Sequence, residues 1–319
     1  MPLVVGIDEA GYGPLLGPLV MAATLWRVAP RRVDGDYWDW LATAVTRRAT
    51  RGEARLPVGD SKEVFARKRG IATLERTVLA FARAAGLRWE TVGEFLVELG
   101  YASPPQAAFP WYEDLGARLP RDPTRSAFEG AARRLTQAMT AAGVACCGLH
   151  AEIVTEDAFN RRIAQTRNKA AVVVEGVLRL IAWAGRYCGD QDLYVRVDRL
   201  GGRADYRAVL MHAFPERHAH VLAVSDECSR YRLASAVNDW HIEFAVSGEQ
   251  RHLPIALASM LAKYVREVLM ERFNAYWQRV APQVAATAGY YTDAQRFLAE
   301  IGPLAGPQNV PLERFVRAR

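Results

Sequence analysis

The opening of the chain is the feature that most limits its fold. Leu3 to Asp8 is a short apolar run that ends in two adjacent acids, Asp8 and Glu9, and a glycine- and proline-containing segment follows. This pattern predicts a buried strand that leads into a tight turn. A second β-rich run, Leu19 to Val28, follows so closely that the two strands are expected to pair as an antiparallel hairpin.

Further along the chain, helical and strand patterns alternate. A hairpin followed by a mixture of strands and helices indicates the α/β class with a mixed sheet. The predicted helices are residues 63–85, 126–142, 157–185 and 254–278, and the further predicted strands are residues 144–150, 193–197, 220–224 and 241–246. Residues 87–125 are less regular, and their prolines and aromatics favour an ordered insertion or a long loop outside the core scaffold.

Composition limits the class of protein more than its activity. Hydrophobic residues make up 50% of the chain and charged residues 24%, which is enough to bury a core. A net charge of +6 fits a polyanionic partner without identifying one. The most apolar stretch, residues 170–184, is interrupted by Glu175 and Arg179, so we expect no membrane span. The cysteines lack zinc spacing and the N-terminus lacks a signal peptide, so we expect a cytoplasmic protein.

Three acids directly follow or end strands that are predicted to be buried. Asp8 and Glu9 end the first strand, and Asp198 ends the alternating run L-Y-V-R-V. A buried carboxylate needs a partner, and Mg²⁺ accepts such oxygen ligands readily. Two such ions roughly 4 Å apart can activate a water and stabilise a leaving oxygen in phosphodiester hydrolysis. From the residues alone, solvated strand ends or arginine partners explain the three acids equally well.

Short strings in the sequence carry a family resemblance. Residues 6–20, G-I-D-E-A-G-Y-G-P-L-L-G-P-L-V, closely resemble the opening signature of ribonuclease HII, a type 2 ribonuclease H. Further segments resemble family elements in family order: Asp60-Ser61-Lys62, Phe159-Asn160, Val197-Asp198, residues 248–263 and residues 289–292. Of all these segments, the opening signature and the block at residues 248–263 are highly specific.

The resemblance implies a ribonuclease H-like fold, namely a mixed five-stranded sheet flanked by helices, with a helical C-terminal extension. We expect a catalytic domain at residues 1–280, with an insertion at about 87–125, and an extension at 281–319 that contributes to substrate binding. The implied activity is a metal-dependent endoribonuclease acting on RNA/DNA hybrids or ribonucleotide-containing duplex DNA, with 5′-phosphate and 3′-hydroxyl products. We expect the protein to be a monomer.

The resemblance assigns both metal binding and catalysis to Asp8, Glu9, Asp198 and Glu249, which would hold two Mg²⁺ or Mn²⁺ ions. Family members usually carry aspartate where Glu249 stands. Asp198 and Glu249 are also separated by more chain than the family normally shows. Asp226 is therefore a rival fourth ligand.

A glycine-containing turn carries the main departure from the family. Arginine normally stands at the position of Tyr12, and a tyrosine cannot make the bidentate phosphate contact of an arginine. The preference between a single ribonucleotide and a long hybrid therefore stays open. The substrate-binding residues that the resemblance implies are Gly11, Tyr12, Gly13, Lys62, Lys263 and Tyr290.

Two other functions remain open. The changes at Tyr12 and Glu249 favour a non-catalytic relative that binds nucleic acid without cutting it. A different nuclease on the same fold is the other alternative, and cleavage of an all-DNA substrate would support it.

Overall fold

The protein is described by a computed structural model that covers residues 1–48, 52–61, 71–101, 109–121, 124–305 and 310–318. The strands are β1 (Leu3–Ala10), β2 (Leu19–Arg27), β3 (Val45–Thr46), β4 (Leu56–Pro57), β5 (Ala145–Val154), β6 (Leu193–Asp198), β7 (His218–Val224), β8 (Cys228–Ala234) and β9 (Asp239–Ala245). The α-helices are α1 (Tyr37–Trp40), α2 (Ala72–Ala84), α3 (Val92–Glu98), α4 (Thr124–Ala142), α5 (Glu156–Thr166), α6 (Lys169–Gly185), α7 (Arg207–Ala213), α8 (Gly248–Arg251), α9 (Leu253–Val280), α10 (Tyr291–Ala305) and α11 (Leu312–Phe315).

A seven-stranded mixed sheet forms the centre of the fold, in the order β5-β2-β1-β6-β9-β8-β7. The predicted hairpin is confirmed, since β1 and β2 pair antiparallel, whereas β1 pairs parallel with β6 and β6 pairs parallel with β9. The predicted class, an α/β fold with a mixed sheet flanked by helices, is confirmed. β3 and β4 form a separate two-stranded parallel sheet.

The expected number of five strands is wrong. Strands β7 and β8 form an antiparallel hairpin that adds to the edge of the sheet beside β9. β8 was not predicted, although its buried residues Ser229, Tyr231 and Leu233 alternate with Arg230 and Arg232, which is the pattern of a half-buried strand. This hairpin, together with α7, also explains why so much chain separates Asp198 from Glu249.

Two apolar cores lie on opposite faces of the sheet, because successive strand side chains point to opposite sides. On β1, Val4 belongs to the core that α9 helps to form, whereas Val5 and Ile7 belong to the core that α6 helps to form. The sheet is thus covered on both faces at its centre, which buries β1 along most of its length.

The single helix predicted at residues 157–185 is two helices. Arg167 has a positive φ of 50°, which ends α5, and the Asn168 side chain then accepts a hydrogen bond from the backbone of Ala170 to begin α6. A left-handed residue of this kind leaves no periodic signal in the sequence.

The apolar residues described in the segment 87–125 are mostly buried in the core, so the expectation that this segment lies outside the core scaffold is wrong for them. Trp111 is 1% exposed, and its ring centre lies 5.0 Å from that of Phe273 on α9. Phe109 stacks on Trp111 with ring centres 4.6 Å apart. Its prolines made this segment resemble a loop, although its aromatic side chains pack against α9.

No helix in the described ranges combines the length and apolarity that a bilayer crossing requires. None of the four cysteines is in a disulfide.

Close packing between β1 and the start of α9 depends on Gly6. A Cβ added at Gly6 would lie 2.0 Å from the carbonyl carbon of Pro254 and 2.4 Å from the backbone nitrogen of Ile255. The neighbouring strand contributes as well, because the Thr24 hydroxyl donates to the Pro254 carbonyl at 2.8 Å. Only glycine lets the helix backbone approach the strand this closely.

We expect Gly6→Ala to lower the free energy of unfolding by about 3 kcal/mol or more, since the clash is with helix backbone that cannot move aside locally. Urea unfolding followed by circular dichroism measures this. Gly302→Ala in α10 is the matched control, because its added Cβ meets nothing within 4 Å. A Gly6→Ala protein as stable as the control would show that α9 can shift on the sheet.

Candidate functional site

Two of the predicted acids are neighbours on parallel strands. The register between β1 and β6 pairs Ile7 with Val197, so Asp8 and Asp198 occupy the next adjacent positions. Directly opposed residues on parallel strands point to the same face of a sheet. Asp8 is buried and Asp198 is partly buried, so their carboxylates share one end of the sheet on the α9 side.

The other two predicted acids reach this end from neighbouring backbone. Glu9 follows Asp8 and interacts electrostatically with Asp198. Glu249 lies in α8, directly after Gly248, whose amide donates to Asp198 Oδ1 at 2.7 Å, and its carboxylate lies close enough to interact with Asp198. Acids from three distant chain segments therefore converge on one place.

The carboxyl groups disfavour one another's charge. Burial, then the charges of Glu9 and Asp198, raise the pKa of Asp8 well above its usual range. Burial, followed by the charge of Asp198, raises the pKa of Glu9 to about 7. Burial raises the pKa of Asp198 to about 6, with a further contribution from Glu249. Clusters of this kind are concentrated at functional sites.

Hydrogen bonds fix the two strand-end aspartates. The backbone amide of Glu9 donates to Asp8 Oδ1 at 2.7 Å. The Ser259 hydroxyl on α9 lies near enough to Asp8 to lower its pKa, and it also contacts the Ser61 hydroxyl at 3.2 Å. These contacts favour the ionised form of Asp8 and hold its carboxylate in place.

The donor set suits a hard divalent cation. It consists of carboxylates, and the buried Oε2 of Glu9 has no hydrogen-bond partner. In the present side-chain positions, however, the described residues contain no group of three His, Cys, Asp or Glu that could hold a metal ion. The chemistry of the cluster therefore fits a divalent cation.

The rival acid Asp226 lies in the exposed turn between β7 and β8. Its backbone carbonyl accepts a hydrogen bond from Arg199, and the neighbouring Ser225 carbonyl accepts another at 2.8 Å. Of the two candidates for the fourth position, Glu249 is the one whose carboxylate interacts with Asp198.

The glycine-containing turn follows β1 directly. Gly11 has a φ of +91°, which disfavours any residue with a side chain. A Cβ there would also lie 2.7 Å from the Pro18 carbonyl oxygen, so the space is too small for one. Tyr12 is partly buried and Gly13 is exposed. The Lys169 ammonium lies 5.7 Å from the Tyr12 ring centre, so a cation lies beside the turn.

A small cavity joins this turn to the acids. It has a volume of about 90 Å³ and is lined by Glu9 and Tyr12, together with Leu200 and Arg203 from the loop after β6. The predicted sugar-sensing turn and the carboxylate cluster are thus next to each other.

Tyr290 is brought to the same region from the C-terminal part of the chain. The amides of Leu15 and Leu16 donate to the Gly289 carbonyl at 2.8 and 3.2 Å. Tyr290 is 51% exposed, and the guanidinium of Arg266 lies 5.7 Å from its ring centre. An exposed aromatic face is therefore available close to the turn.

One of the two predicted lysines, Lys263, lies on α9. Lys263 is one helical turn beyond Ser259 on α9 and pairs with Glu267 at 2.7 Å. Lys62 lies outside the described residues, although its neighbour Ser61 contacts Ser259.

Several residues of the site were missed from the sequence. Ser259 is the one polar residue in the apolar run at 254–262, which was an available signal. Arg266 and Arg317 are each 1% exposed and hold the backbone of the turn region, but nothing in the sequence near them indicates this.

No protein-family model matches the chain, and no curated protein matches it. Among solved structures, the chain is similar to ribonuclease HII of Archaeoglobus fulgidus in a complex with PCNA, at 15% identity over 99% of this chain and 94% of that one, with a TM-score of 0.44. It is also similar to ribonuclease H2 of Pyrococcus horikoshii, at 13% identity over 99% and 92%, with a TM-score of 0.39.

A third similar structure is Bst ribonuclease HIII in complex with Mn²⁺, at 14% identity over 99% of this chain and 65% of that one, with a TM-score of 0.47. The likeness to these three structures concerns the fold alone, and chemistry depends on this chain's own side chains.

Burial of the Asp198 carboxylate, with a further contribution from repulsion by Glu249, predicts a pH-dependent stability. Folding raises the pKa of Asp198 from 3.8 to about 6, so the metal-free protein loses stability as pH rises through this interval. Asp198→Asn removes that loss and keeps an oxygen for the Gly248 amide. With a chelator at about pH 8, we expect the variant to be more stable than the wild type by about 1 kcal/mol, after allowance for solvent screening.

Thermal unfolding across this pH range measures the difference, which should vanish near about pH 4. Asp226→Asn, which removes an exposed carboxylate, is the control and should change little. An Asp198→Asn protein less stable than the wild type at high pH would contradict an unfavourable buried charge at Asp198.

Proposed function

We propose that this chain is a metal-dependent endoribonuclease that hydrolyses the RNA strand of RNA/DNA hybrids, or ribonucleotides embedded in duplex DNA. The products carry 5′-phosphate and 3′-hydroxyl ends. The observation that carries the proposal is the convergence of Asp8, Glu9, Asp198 and Glu249, from three distant segments, on one end of the sheet. Burial, together with mutual repulsion, makes the charged form of this cluster unfavourable unless positive charge joins it.

In the proposed mechanism, Asp8, Glu9, Asp198 and Glu249 hold the metal ions. Two Mg²⁺ or Mn²⁺ ions bound there supply activation of the attacking water and stabilisation of the departing 3′-oxygen. The Glu9 amide holds the carboxylate of Asp8 in place, and the Gly248 amide does the same for Asp198.

Substrate contacts in this proposal come from the neighbouring turn and helix. The backbone of Gly11, Tyr12 and Gly13 approaches the ribose and reads its 2′-hydroxyl, which distinguishes RNA from DNA. The exposed ring of Tyr290 packs against a sugar. Lys263, together with Lys62, attracts the phosphate backbone, and the net charge of +6 favours a polyanion in general.

A non-catalytic nucleic-acid-binding relative is the second candidate. It is favoured by Tyr12 and Glu249, which differ from the residues usual at these positions in the family that the sequence resembles. Such a protein would bind an RNA/DNA hybrid and leave it intact with either Mg²⁺ or Mn²⁺.

Replacing one central acid should separate these possibilities. We expect Asp8→Ala to lower the rate of hybrid cleavage at least about a thousandfold, because the charge developing at the phosphate loses its stabilisation. Binding of the hybrid should change little. Gel assays of cleavage and fluorescence anisotropy of binding, with Mg²⁺ and with Mn²⁺, measure the two effects.

The matched control is Glu300→Ala, which removes an acid on the surface of α10. Normal turnover by Asp8→Ala would refute the metal assignment. Binding without cutting by the wild type would favour the non-catalytic relative, and equal cleavage of an all-DNA duplex would favour a different nuclease.

The identity of the fourth ligand can be tested separately. We expect Glu249→Gln to weaken Mn²⁺ binding, measured by calorimetry, because its carboxylate is the one beside Asp198. Asp226→Asn should bind Mn²⁺ as the wild type does. The reverse pattern would make Asp226 the ligand.

A further inference from the structure

The C-terminal segment Val316–Ala318, called here the tail strap, lies against the turn that follows β1. Arg317 is 1% exposed, and its guanidinium donates to the carbonyl oxygens of Gly11 and Tyr12, the latter at 3.2 Å. Its backbone amide donates to the Leu15 carbonyl at 2.8 Å. One residue thus binds three carbonyl groups of the turn, 302 to 306 positions away in the chain.

Asn160 on α5 fixes the tail strap in place. Its side-chain amide donates to the Val316 carbonyl at 2.8 Å and to the Glu313 carbonyl at 3.1 Å. Its side-chain oxygen accepts from the Ala318 amide at 2.7 Å. The asparagine singled out in the sequence therefore serves the chain's own C-terminus, a role that the proposed mechanism does not include.

The surroundings of Arg317 are built for a buried cation. Its guanidinium carbon lies 4.1 Å from the ring centre of Phe159, and Glu156 is close enough to interact electrostatically. Burial lowers the pKa of Arg317 to about 10, so the guanidinium remains charged at neutral pH. Tyr112 in turn donates to both carboxylate oxygens of Glu156, at 3.1 and 3.2 Å.

The direction of these hydrogen bonds determines what the turn presents. In a trans peptide group the carbonyl and the following N–H point in opposite directions. Because Arg317 binds the carbonyls of Gly11 and Tyr12, the amides of Tyr12 and Gly13 point away from it. Two hydrogen-bond donors are thereby oriented together on the side of the turn opposite the tail strap.

We propose that Arg317 is a positioning residue, and that the tail strap holds the Gly11–Gly13 turn in the shape that presents its amides to a ribose. The proposal rests on the proposed ribonuclease function and adds the element that shapes its substrate contact. A guanidinium suits this task because it donates several hydrogen bonds from one rigid plane.

The first test is kinetic. With a ribonucleotide-containing duplex as substrate, we expect Arg317→Ala to raise KM at least about tenfold and to change kcat less than about threefold, because binding is lost while the acids stay in place. Arg317→Lys keeps the positive charge but lacks the planar guanidinium, so its KM should lie between those of the wild type and Arg317→Ala. Millimolar guanidinium should partly rescue Arg317→Ala.

The matched control is Arg314→Ala, which removes an exposed arginine from the same C-terminal region and leaves the turn untouched. It should keep the wild-type KM. Asn160→Ala, which releases the tail strap, should reproduce the Arg317→Ala effect, and the double variant should be no worse than either single one. Additive effects, or an unchanged KM in Arg317→Ala, would overturn the proposal.

A second readout does not depend on activity. Hydrogen exchange of the amides in residues 11–16 should become faster in Arg317→Ala, while exchange in β9 stays as in the wild type. Equal acceleration everywhere would mean that Arg317 only stabilises the fold, which would overturn the proposal. A wild-type protein that cuts no substrate would refute the proposed function instead, and hydrogen exchange would still decide whether the tail strap holds the turn.

Discussion

Close contact between α9 and the centre of the sheet is the constraint on which the site depends. Gly6 lets the first turn of the helix lie directly on β1, and Thr24 on β2 binds the Pro254 carbonyl. With the start of the helix fixed, its next turns bring Ser259 against Asp8 and Arg266 beneath the turn region. A helix held farther from the sheet would leave the buried carboxylate of Asp8 without this polar neighbour.

The carboxylate cluster opposes the stability that the two apolar cores provide. Burial and mutual repulsion both disfavour the charged forms of Asp8, Glu9 and Asp198, and only a few amide and hydroxyl donors offset this. A fold does not benefit from such an arrangement for its own sake. Unfavourable local electrostatics held by a well-packed scaffold are typical of sites that have a chemical task.

Local patterns in the sequence predicted the parts of the fold that depend on neighbouring residues. The first hairpin follows from two apolar runs joined by a short turn, and the acids at the ends of β1 and β6 follow from the strands that carry them. Of the hairpin β7–β8 only β7 was predicted, although the alternation of arginines with buried residues in β8 was an available strand signal. The hydrogen bond between Arg317 and Gly11 joins residues 306 positions apart and leaves no periodic trace in the sequence.

The backbone of the turn after β1 is held by several contacts, and its central side chain is a tyrosine. Arg317, Gly289 and the positive φ of Gly11 fix its peptide groups from the interior of the protein. Its central side chain is the partly buried Tyr12, which lacks the positive charge of an arginine, and the Lys169 ammonium lies 5.7 Å from its ring centre. In the proposed function, discrimination of ribose from deoxyribose therefore depends on the geometry of the backbone amides and not on a guanidinium at position 12.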